Sequence, residues 1–295
     1  MRYAAVDIGS NAVRLLIADI NENNSLVSFK KNTLIRVPLR LGDDAFLNQH
    51  ISEKKAADLV KTMIAFKNLM EVYKVSSYRA CATSAMREAK NGPDIVRTIK
   101  TESDIDLEIV RGEAEAHIIY SSHIDQSIDK NKNYLYIDVG GGSTELSLFS
   151  EGDMVASHSF NIGTIRILDN QDKDETWEEM KEFIREHTRS FKNLSGIGTG
   201  GNINKLYKLA EEKEGSPLSF SKLKNLYNYL NSFSLKDRIN VLGLNQDRAD
   251  VIIPACEIYL SVMKWAGIKN IYVPSVGMVD GIIQTLIEQN YATDK

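Results

Sequence analysis

Residues Tyr134–Leu148, which read YLYIDVGGGSTELSL, and Tyr3–Ile17, which read YAAVDIGSNAVRLLI, share one pattern of strand, tight turn and second strand. Asp138 in the later stretch corresponds to Asp7 in the earlier one, and in both a glycine follows two positions later. One pattern written twice at such long spacing predicts two similar halves rather than a solenoid of short units. Two facing loops of this kind, each with an aspartate beside small residues, would clamp phosphate and metal.

Length and composition are those of an ordinary globular protein. The 295 residues allow one or two domains, and 26% of them are charged and 43% hydrophobic, as is usual for soluble proteins. No run approaches the roughly 20 apolar residues that span a membrane, and no secretory signal is visible. Cys81 and Cys256 form no metal or redox motif, so we expect buried free thiols in a cytoplasmic protein.

The charge balance limits the classes of partner. The formal net charge of −4 argues against broad nucleic-acid binding, which needs a basic surface. An anionic substrate would therefore depend on local positive charge. The five histidines are scattered along the chain and do not pair at the spacing of zinc ligands, so a zinc site is not expected.

Strands alternate with helices along the chain, which predicts an α/β protein with a partly parallel sheet in each half. Strands at about Tyr3–Gly9, Ala12–Asn21 and Val27–Val37 open the first half. The hairpin Tyr134–Phe149 and a strand at Met154–Phe160 open the second half in the same way.

Helices are expected later in each half. One is capped by Ser52 and runs through Tyr73, and another covers about Glu175–Arg189. A further helix is expected from about Glu113 to Ile124, and a final one at Met278–Gln289.

The polar stretch 125–133 predicts the domain boundary. The domains would then be residues 1–125 and 126–295. The final helix, about 279–292, is expected to pack back on the first domain.

The turn from Gly140 to Thr144 carries the strongest chemical signal. Consecutive glycines let backbone N–H groups converge on an anion, and the serine and threonine of the turn add hydroxyl donors. Asp138 and Glu145 flank it and provide hard oxygen ligands for a cation. A plain glycine hairpin is the alternative, but acids on both sides would bring it no packing benefit.

Other candidate motifs are individually weaker. The first turn, Asp7–Asn11, is also good ordinary turn chemistry. The segment Gly198–Asn202 follows a strand and opens a helix, which suits an anion or simply a tight strand–helix crossing. Arg87 at a strand end could hold a phosphate or pair with an acid on the surface. Glu113 and Glu115 begin a helix, where they complement its dipole or provide a general base.

Two common enzyme classes are excluded by their missing motifs. The chain has no Gly-x-x-x-x-Gly-Lys-Ser/Thr loop and no serine-hydrolase elbow, so it is neither a P-loop NTPase nor a hydrolase of the elbow type.

Taken together, the motifs resemble those of the exopolyphosphatase/guanosine pentaphosphate phosphohydrolase family, within the actin-like ATPase superfamily. They keep the family's order over nearly the whole chain: Asp7–Asn11, Ala82–Ala89, Gly112–Ala116, Asp138–Glu145, Gly198–Gly201 and Arg248–Pro254. The resemblance implies two actin-like (ribonuclease H-like) domains with an interdomain cleft. It also implies Mg²⁺-dependent hydrolysis of a terminal phosphoanhydride.

The resemblance assigns roles to particular residues. Glu115 is the catalytic base, Asp138 and Glu145 serve the metal, and Asp7 is a candidate support for metal or water. The phosphate-binding candidates are Ser10, Asn11, Arg87, Gly140, Gly141, Gly142, Ser143, Thr144, Gly200 and Gly201.

The chain departs from the family pattern at three places. Ala12 stands where serine or threonine is usual and His117 where arginine is frequent. The third departure, at Val279 and its neighbour Asp280, lies in a motif that usually reads Gly-x-Arg-Glu-Gly. The departures bear on the strength of phosphate binding. Longer members also continue into a helical extension, so shorter polyphosphate chains or a guanosine pentaphosphate end are expected as substrates here.

The leading hypothesis is a cytoplasmic exopolyphosphatase that takes Mg²⁺ and acts on polyphosphate, with a homodimer expected. The nearest alternative is 5′-phosphohydrolysis of guanosine pentaphosphate at the same site. A non-catalytic sensor of alarmone or polyphosphate and a phosphotransferase are further alternatives. Neither nucleic acid nor a membrane is an expected partner.

Overall fold

The computed structural model divides the chain into two compact units. Unit 1 comprises Met1–His123 and Val276–Lys295, and unit 2 comprises Ile124–Ser275. The predicted boundary at 125/126 falls outside the described residues and stays a prediction. The residues that the structure describes are 1–23, 26–120, 132–191, 193–274 and 276–292.

Unit 1 is built on a five-stranded sheet in the order β3-β2-β1-β4-β5. Its strands are β1 (Arg2–Ile8), β2 (Val13–Asn23), β3 (Leu26–Val37), β4 (Ser77–Ala82) and β5 (Leu107–Ile109). Strands β1, β4 and β5 run parallel, and β2 runs antiparallel to both of its neighbours. The helices between them are α1 (Leu41–Asn48), α2 (Glu53–Val72), α3 (Ser84–Glu88), α4 (Gly92–Ser103) and α5 (Gly112–Tyr120).

Unit 2 has a six-stranded sheet in the order β10-β11-β9-β6-β7-β8. Its strands are β6 (Asn133–Val139), β7 (Thr144–Ser150), β8 (Asp153–Phe160), β9 (Leu194–Thr199), β10 (Leu218–Ser219) and β11 (Asn270–Tyr272). Its helices are α6 (Thr164–Leu168), α7 (Asp174–Thr188), α8 (Gly201–Leu209), α9 (Phe220–Asn231), α10 (Leu235–Asn240), α11 (Gln246–Ala249) and α12 (Ile252–Trp265).

The two sheets repeat one strand order. The first three strands of each unit form an antiparallel meander, and the next strand pairs in parallel with the first. Unit 1 continues as 3-2-1-4-5, and unit 2 as 3-2-1-4-6-5 because the short strand β10 lies at the sheet edge beyond β11. The shared 3-2-1-4 order, with strand 2 antiparallel, is that of the ribonuclease H-like fold. The predicted fold class, α/β with two actin-like domains, is confirmed.

Helices cover the central strands, which explains their continuous apolar sequence. Six of the seven residues of β1 and six of the seven of β7 are buried, as expected for strands covered on both faces. Helix α2 turns one stripe inward: Leu59, Met63, Phe66 and Met70 recur at three- and four-residue spacing and are buried. Ser52 occupies the predicted cap position, although its side chain makes no capping hydrogen bond.

The last helix, α13 (Met278–Ala292), belongs to unit 1. Its apolar residues Ile282, Ile283 and Leu286 are buried against β1, β2 and α5. At Gly281 the helix meets the backbone of α5, because a Cβ there would stand 1.8 Å from the carbonyl oxygen of Ile118. No other residue fits at this crossing without displacing α5, the helix that carries Glu115.

Several elements differ from the sequence-based predictions. Helices α1 and α6 lie directly after the third strand of each unit, where no helix is predicted. The helix predicted from about 113 to 124 begins at Gly112, and its predicted end lies outside the described residues. None of the described helices is both long and apolar enough to cross a lipid bilayer. Cys81 and Cys256 are free and buried, as predicted.

Candidate functional site

The two turns predicted to bind phosphate close with the same hydrogen bond. In unit 1 the N–H of Gly9 donates to Ala12 O at 3.1 Å, and in unit 2 the N–H of Gly140 donates to Ser143 O at 2.9 Å. The repeat that is visible in the sequence is therefore a repeat of backbone geometry.

The carbonyl groups of the unit 2 turn are held by the first residues of α6. Thr164 N donates to Gly140 O at 3.0 Å, and Ile165 N donates to Gly141 O at 2.8 Å. The start of α6, which has unsatisfied N–H groups, thus fixes two successive peptide groups of the turn.

A side chain of the same helix holds the third carbonyl. Arg166 Nε donates to Gly142 O at 2.6 Å, and the arginine is only 7% exposed. The turn therefore has three carbonyls directed toward α6. Arg166 is absent from the sequence-predicted site.

This arrangement orients three N–H groups. In a trans peptide the C=O of one residue and the N–H of the next point in opposite directions, and the described residues contain no cis peptide. The N–H groups of Gly141, Gly142 and Ser143 therefore point away from α6. Among the described residues none of the three has a hydrogen-bond acceptor. Successive backbone N–H groups that point to the same side form a concave site that suits an anion.

Asp138 and Glu145 are brought together by strand pairing. They stand opposite each other in the β6–β7 register, so their side chains share one face of the sheet. Glu145 is 4% exposed, and its Oε1 accepts a hydrogen bond from Ser159 Oγ at 2.8 Å. Two neighbouring carboxylates repel each other and favour a bound cation.

Asp138 also adjoins the glycine segment that opens α8. Gly200 has a φ of +93°, in the left-handed region, and a Cβ on it would lie 2.7 Å from Asp138 Oδ1. Arg248 Nη1 donates to Gly201 O at 2.8 Å. The structure therefore places Gly200 and Gly201 beside the predicted metal ligand of the same unit.

Tyr259 is hydrogen-bonded to the backbone directly before the Gly200–Gly201 segment. Its hydroxyl donates to Thr199 O at 2.9 Å, at the end of β9. The ring is fully buried, and burial raises the pKa of Tyr259 well above its ordinary value. The phenol therefore stays protonated, and a hydrogen-bond donor, to a higher pH than an ordinary tyrosine.

Two hydroxyl groups near the unit 2 turn have contrasting environments. Thr144 Oγ1, a predicted phosphate ligand, donates to Ile162 O at 2.7 Å and is fully buried. Thr164 Oγ1 is also buried and has no hydrogen-bond partner within the described residues. Ser143, the other predicted hydroxyl ligand, is 3% exposed. The phosphate-binding roles of Ser143 and Thr144 stay predictions.

In unit 1 the predicted turn residues form an ion pair and hydrogen bonds with neighbouring residues. Asp7 is 3% exposed and its Oδ2 lies 2.5 Å from Arg14 Nη1. Ser10 Oγ and Ser84 Oγ are 2.8 Å apart. The carbonyl of Asn11 accepts from the N–H of Arg40 at 3.0 Å.

The predicted base and a predicted phosphate ligand are neighbours within unit 1. Arg87 Nη1 lies 4.0 Å from Glu115 Oε2 and donates to Val110 O at 2.9 Å. Their side chains are 27% and 14% exposed, respectively. The largely buried carboxylate of Glu115 therefore lies beside the positive charge of Arg87.

The donor set of unit 2 fits Mg²⁺. Mg²⁺ is commonly held by one or two carboxylates together with water and phosphate oxygens, and Asp138 and Glu145 are two hard oxygen donors on one face. A self-sufficient cage is not present, because the described residues contain no cluster of three or more histidine, cysteine, aspartate or glutamate side chains fit for a metal.

Sequence reasoning missed the residues that orient the turns. Arg166 could have been suspected, because an arginine between two isoleucines is unusual unless it has a buried acceptor. Arg248 belongs to the motif Arg248–Pro254, but the sequence does not indicate which group its side chain contacts. Tyr259 has no sequence signal that separates it from ordinary core residues.

Comparisons with known proteins agree with the motifs. The profile of a family described as the Ppx/GppA phosphatase family matches residues 17–290. A bifunctional 3-dehydroquinate synthase/phosphatase of Fusobacterium nucleatum is 27% identical over 288 residues, 90% of this chain and 43% of that protein. The chain therefore spans less than half of that relative. A protein named putative exopolyphosphatase of Haemophilus influenzae is 22% identical and covers 98% of this chain and 92% of its own length.

A solved structure has the same fold. The exopolyphosphatase of Cytophaga hutchinsonii superposes with a TM-score of 0.84 at 23% identity and covers 98% of both chains. The resemblance drawn from the motifs is confirmed.

Proposed function

This chain belongs to the Ppx/GppA phosphatase family, and from that premise we propose that it is an Mg²⁺-dependent exopolyphosphatase. It would hydrolyse the terminal phosphoanhydride bond of polyphosphate and release orthophosphate. The observation that carries the proposal is the row of three N–H groups, at Gly141, Gly142 and Ser143, oriented for an anion.

The unit 2 turn binds phosphoryl oxygens in this proposal. Backbone N–H groups fixed before the reaction stabilise the charge that develops on the phosphoryl group without reorganising. Gly200 and Gly201 at the start of α8 add a second set of small residues at an anion-favouring helix end. Asn11, Ser10 and Arg87 are the proposed phosphate ligands of unit 1.

Asp138 and Glu145 hold the cation in this proposal. Mg²⁺, when bound, neutralises charge on the phosphate oxygens. The chain's own contribution is to fix the two carboxylates on one sheet face, with Glu145 oriented by Ser159. Asp7, which is paired with Arg14, would have at most a supporting role.

Glu115 is the proposed base. A carboxylate that accepts a proton from the attacking water also orients that water for in-line displacement. The guanidinium of Arg87 lies 4.0 Å from this carboxylate, where it would hold a phosphate oxygen beside the attacking water.

The proposal is tested by orthophosphate release. Wild type and Glu115→Gln are assayed with Mg²⁺ on short polyphosphate, long polyphosphate and guanosine pentaphosphate. A base contributes about 10² to 10⁴ in rate, so Glu115→Gln should lose that factor and still fold. Glu71→Gln, an exposed glutamate of α2 in the same unit, is the matched control and should keep full activity. No release from any substrate by the wild type would contradict the proposal.

Guanosine pentaphosphate hydrolysis is the second candidate. A guanosine-5′-triphosphate,3′-diphosphate pyrophosphatase of Aeromonas hydrophila is 22% identical over 99% of this chain, and the terminal bond is chemically the same. The preferred substrate in the same assay decides between them. A cytoplasmic location and a homodimer stay predictions, the latter open to measurement of mass in solution.

A further inference from the structure

Arg166 is a buried positive charge that is not among the proposed metal or phosphate ligands. It is 7% exposed and lies in α6 between two isoleucines. Burial of a guanidinium is costly unless it is well hydrogen-bonded. Its Nε donates to Gly142 O over 2.6 Å, across 24 positions of sequence.

The target of this bond is the last peptide group before Ser143. When Gly142 O is held toward α6, the N–H of Ser143 must point to the opposite side. The other two turn carbonyls are held by backbone N–H groups. The orientation of the Ser143 N–H therefore depends on a side chain and can be tested by substitution.

The corresponding carbonyl of unit 1 makes an informative contrast. Asn11 O accepts from a neutral N–H, that of Arg40, at 3.0 Å. A charged donor makes a shorter and stronger bond, and it also polarises the peptide that it holds. The polarised Gly142–Ser143 peptide has a more positive N–H on the side away from the arginine.

We propose that Arg166 is a positioning residue that orients and polarises the Ser143 N–H for the transferred phosphoryl group. This inference rests on the proposed function. Arg166 itself acts through the Gly142 carbonyl and does not touch the substrate. Substitution of Arg166 should therefore lower kcat/KM. It should also abolish the response of the Ser143 amide to a bound anion.

The experiment compares Arg166→Met, Arg166→Lys and a matched control, Arg2→Met. Arg2 Nη1 also donates to a backbone carbonyl, Tyr73 O, at 3.0 Å, but it belongs to unit 1 and lies at the opposite end of β1 from the unit 1 turn. Each variant is assayed for kcat and KM with tripolyphosphate. The Ser143 amide is followed by NMR in ¹⁵N-serine-labelled protein titrated with tripolyphosphate, and Ser143→Ala identifies the signal.

Arg166→Met should lower kcat/KM about 100-fold, the effect of losing one fixed transition-state donor. Arg166→Lys, which keeps a charged donor, should recover all but about tenfold. The Ser143 amide should shift with tripolyphosphate in the wild type and in Arg2→Met, and should not shift in Arg166→Met.

A kcat/KM within about twofold of wild type, or an unchanged Ser143 response in Arg166→Met, would overturn the proposal and leave a structural arginine. If Arg166→Met does not fold, Arg166→Lys decides by the same two readouts. A wild type that releases no orthophosphate contradicts the proposed function, while the Ser143 response still decides the role of Arg166. A wild-type Ser143 amide that ignores tripolyphosphate overturns this inference as well.

Discussion

The turn of unit 1 and the turn of unit 2 share a backbone frame and differ in charge. Each closes with one N–H···O bond, and in each the carbonyls are held by residues at the start of a short helix. In unit 1 the aspartate near the end of the first strand, Asp7, is neutralised by Arg14. In unit 2 the corresponding Asp138 faces a second carboxylate, Glu145. In the proposed function, this difference is the reason for assigning the cation to unit 2.

The largest expected effect compares the two aspartates. Asp138→Asn removes a carboxylate from the proposed metal pair and should lower Mg²⁺-dependent turnover about 1,000-fold, because a bound metal contributes several kcal/mol to the transition state. Asp7→Asn should reduce turnover far less. Orthophosphate release is measured over a range of Mg²⁺ concentrations.

Stability sharpens the same comparison. Asp7→Asn leaves Arg14 without its carboxylate and should reduce the free energy of unfolding by about 1 to 3 kcal/mol, the worth of a hydrogen bond to a charged group. Equal losses of Mg²⁺ dependence in the two variants would remove the distinction between the turns.

A large effect on unit 1 is expected from Gly281→Ala. Its Cβ would lie 1.8 Å from Ile118 O, so α13 and α5 must separate, and overpacking of this kind costs about 3 kcal/mol or more. Because α5 carries Glu115, activity should fall with stability. Urea unfolding and orthophosphate release are measured together.

Gly277→Ala is the matched control for that substitution. Nothing lies within 4 Å of a Cβ at this position, so stability and activity should stay near wild type. A harmless Gly281→Ala would show that the contact between α5 and α13 is not as close as described.

The smallest effect concerns the support of the unit 2 site. Tyr259→Phe removes the bond to Thr199 O and should cost about 1 kcal/mol. The raised pKa of Tyr259 adds a pH signature, because the unfolded phenol ionises near pH 10 and the folded one does not. The stabilisation is complete below about pH 10 and declines above it, as the pH approaches the folded pKa.

Urea unfolding of wild type and Tyr259→Phe between pH 8 and pH 11 measures this signature. The difference in stability between the two proteins should shrink as the pH rises through the upper part of that range. A constant difference would contradict the assignment of a raised pKa to Tyr259.

The sequence was most informative where structure is local. The meander strands and the long helix α2 were predicted within a few residues, because alternation and helical spacing persist over enough positions to be read. Helices α1 and α6 were missed, because eight and five residues are too few for a periodic pattern. These two short helices are the elements that hold the turn carbonyls.

By itself, the sequence determined that one turn occurs twice, that acids flank the second copy, and that the chain belongs to its family. Those properties are written in consecutive residues. Only the tertiary structure decided which groups fix each turn, since the bond from Arg166 to Gly142 joins positions 24 apart and the bond from Tyr259 to Thr199 joins positions 60 apart. Hydrogen-bond partners depend on how strands and helices pack, and no local pattern of residue types records that packing.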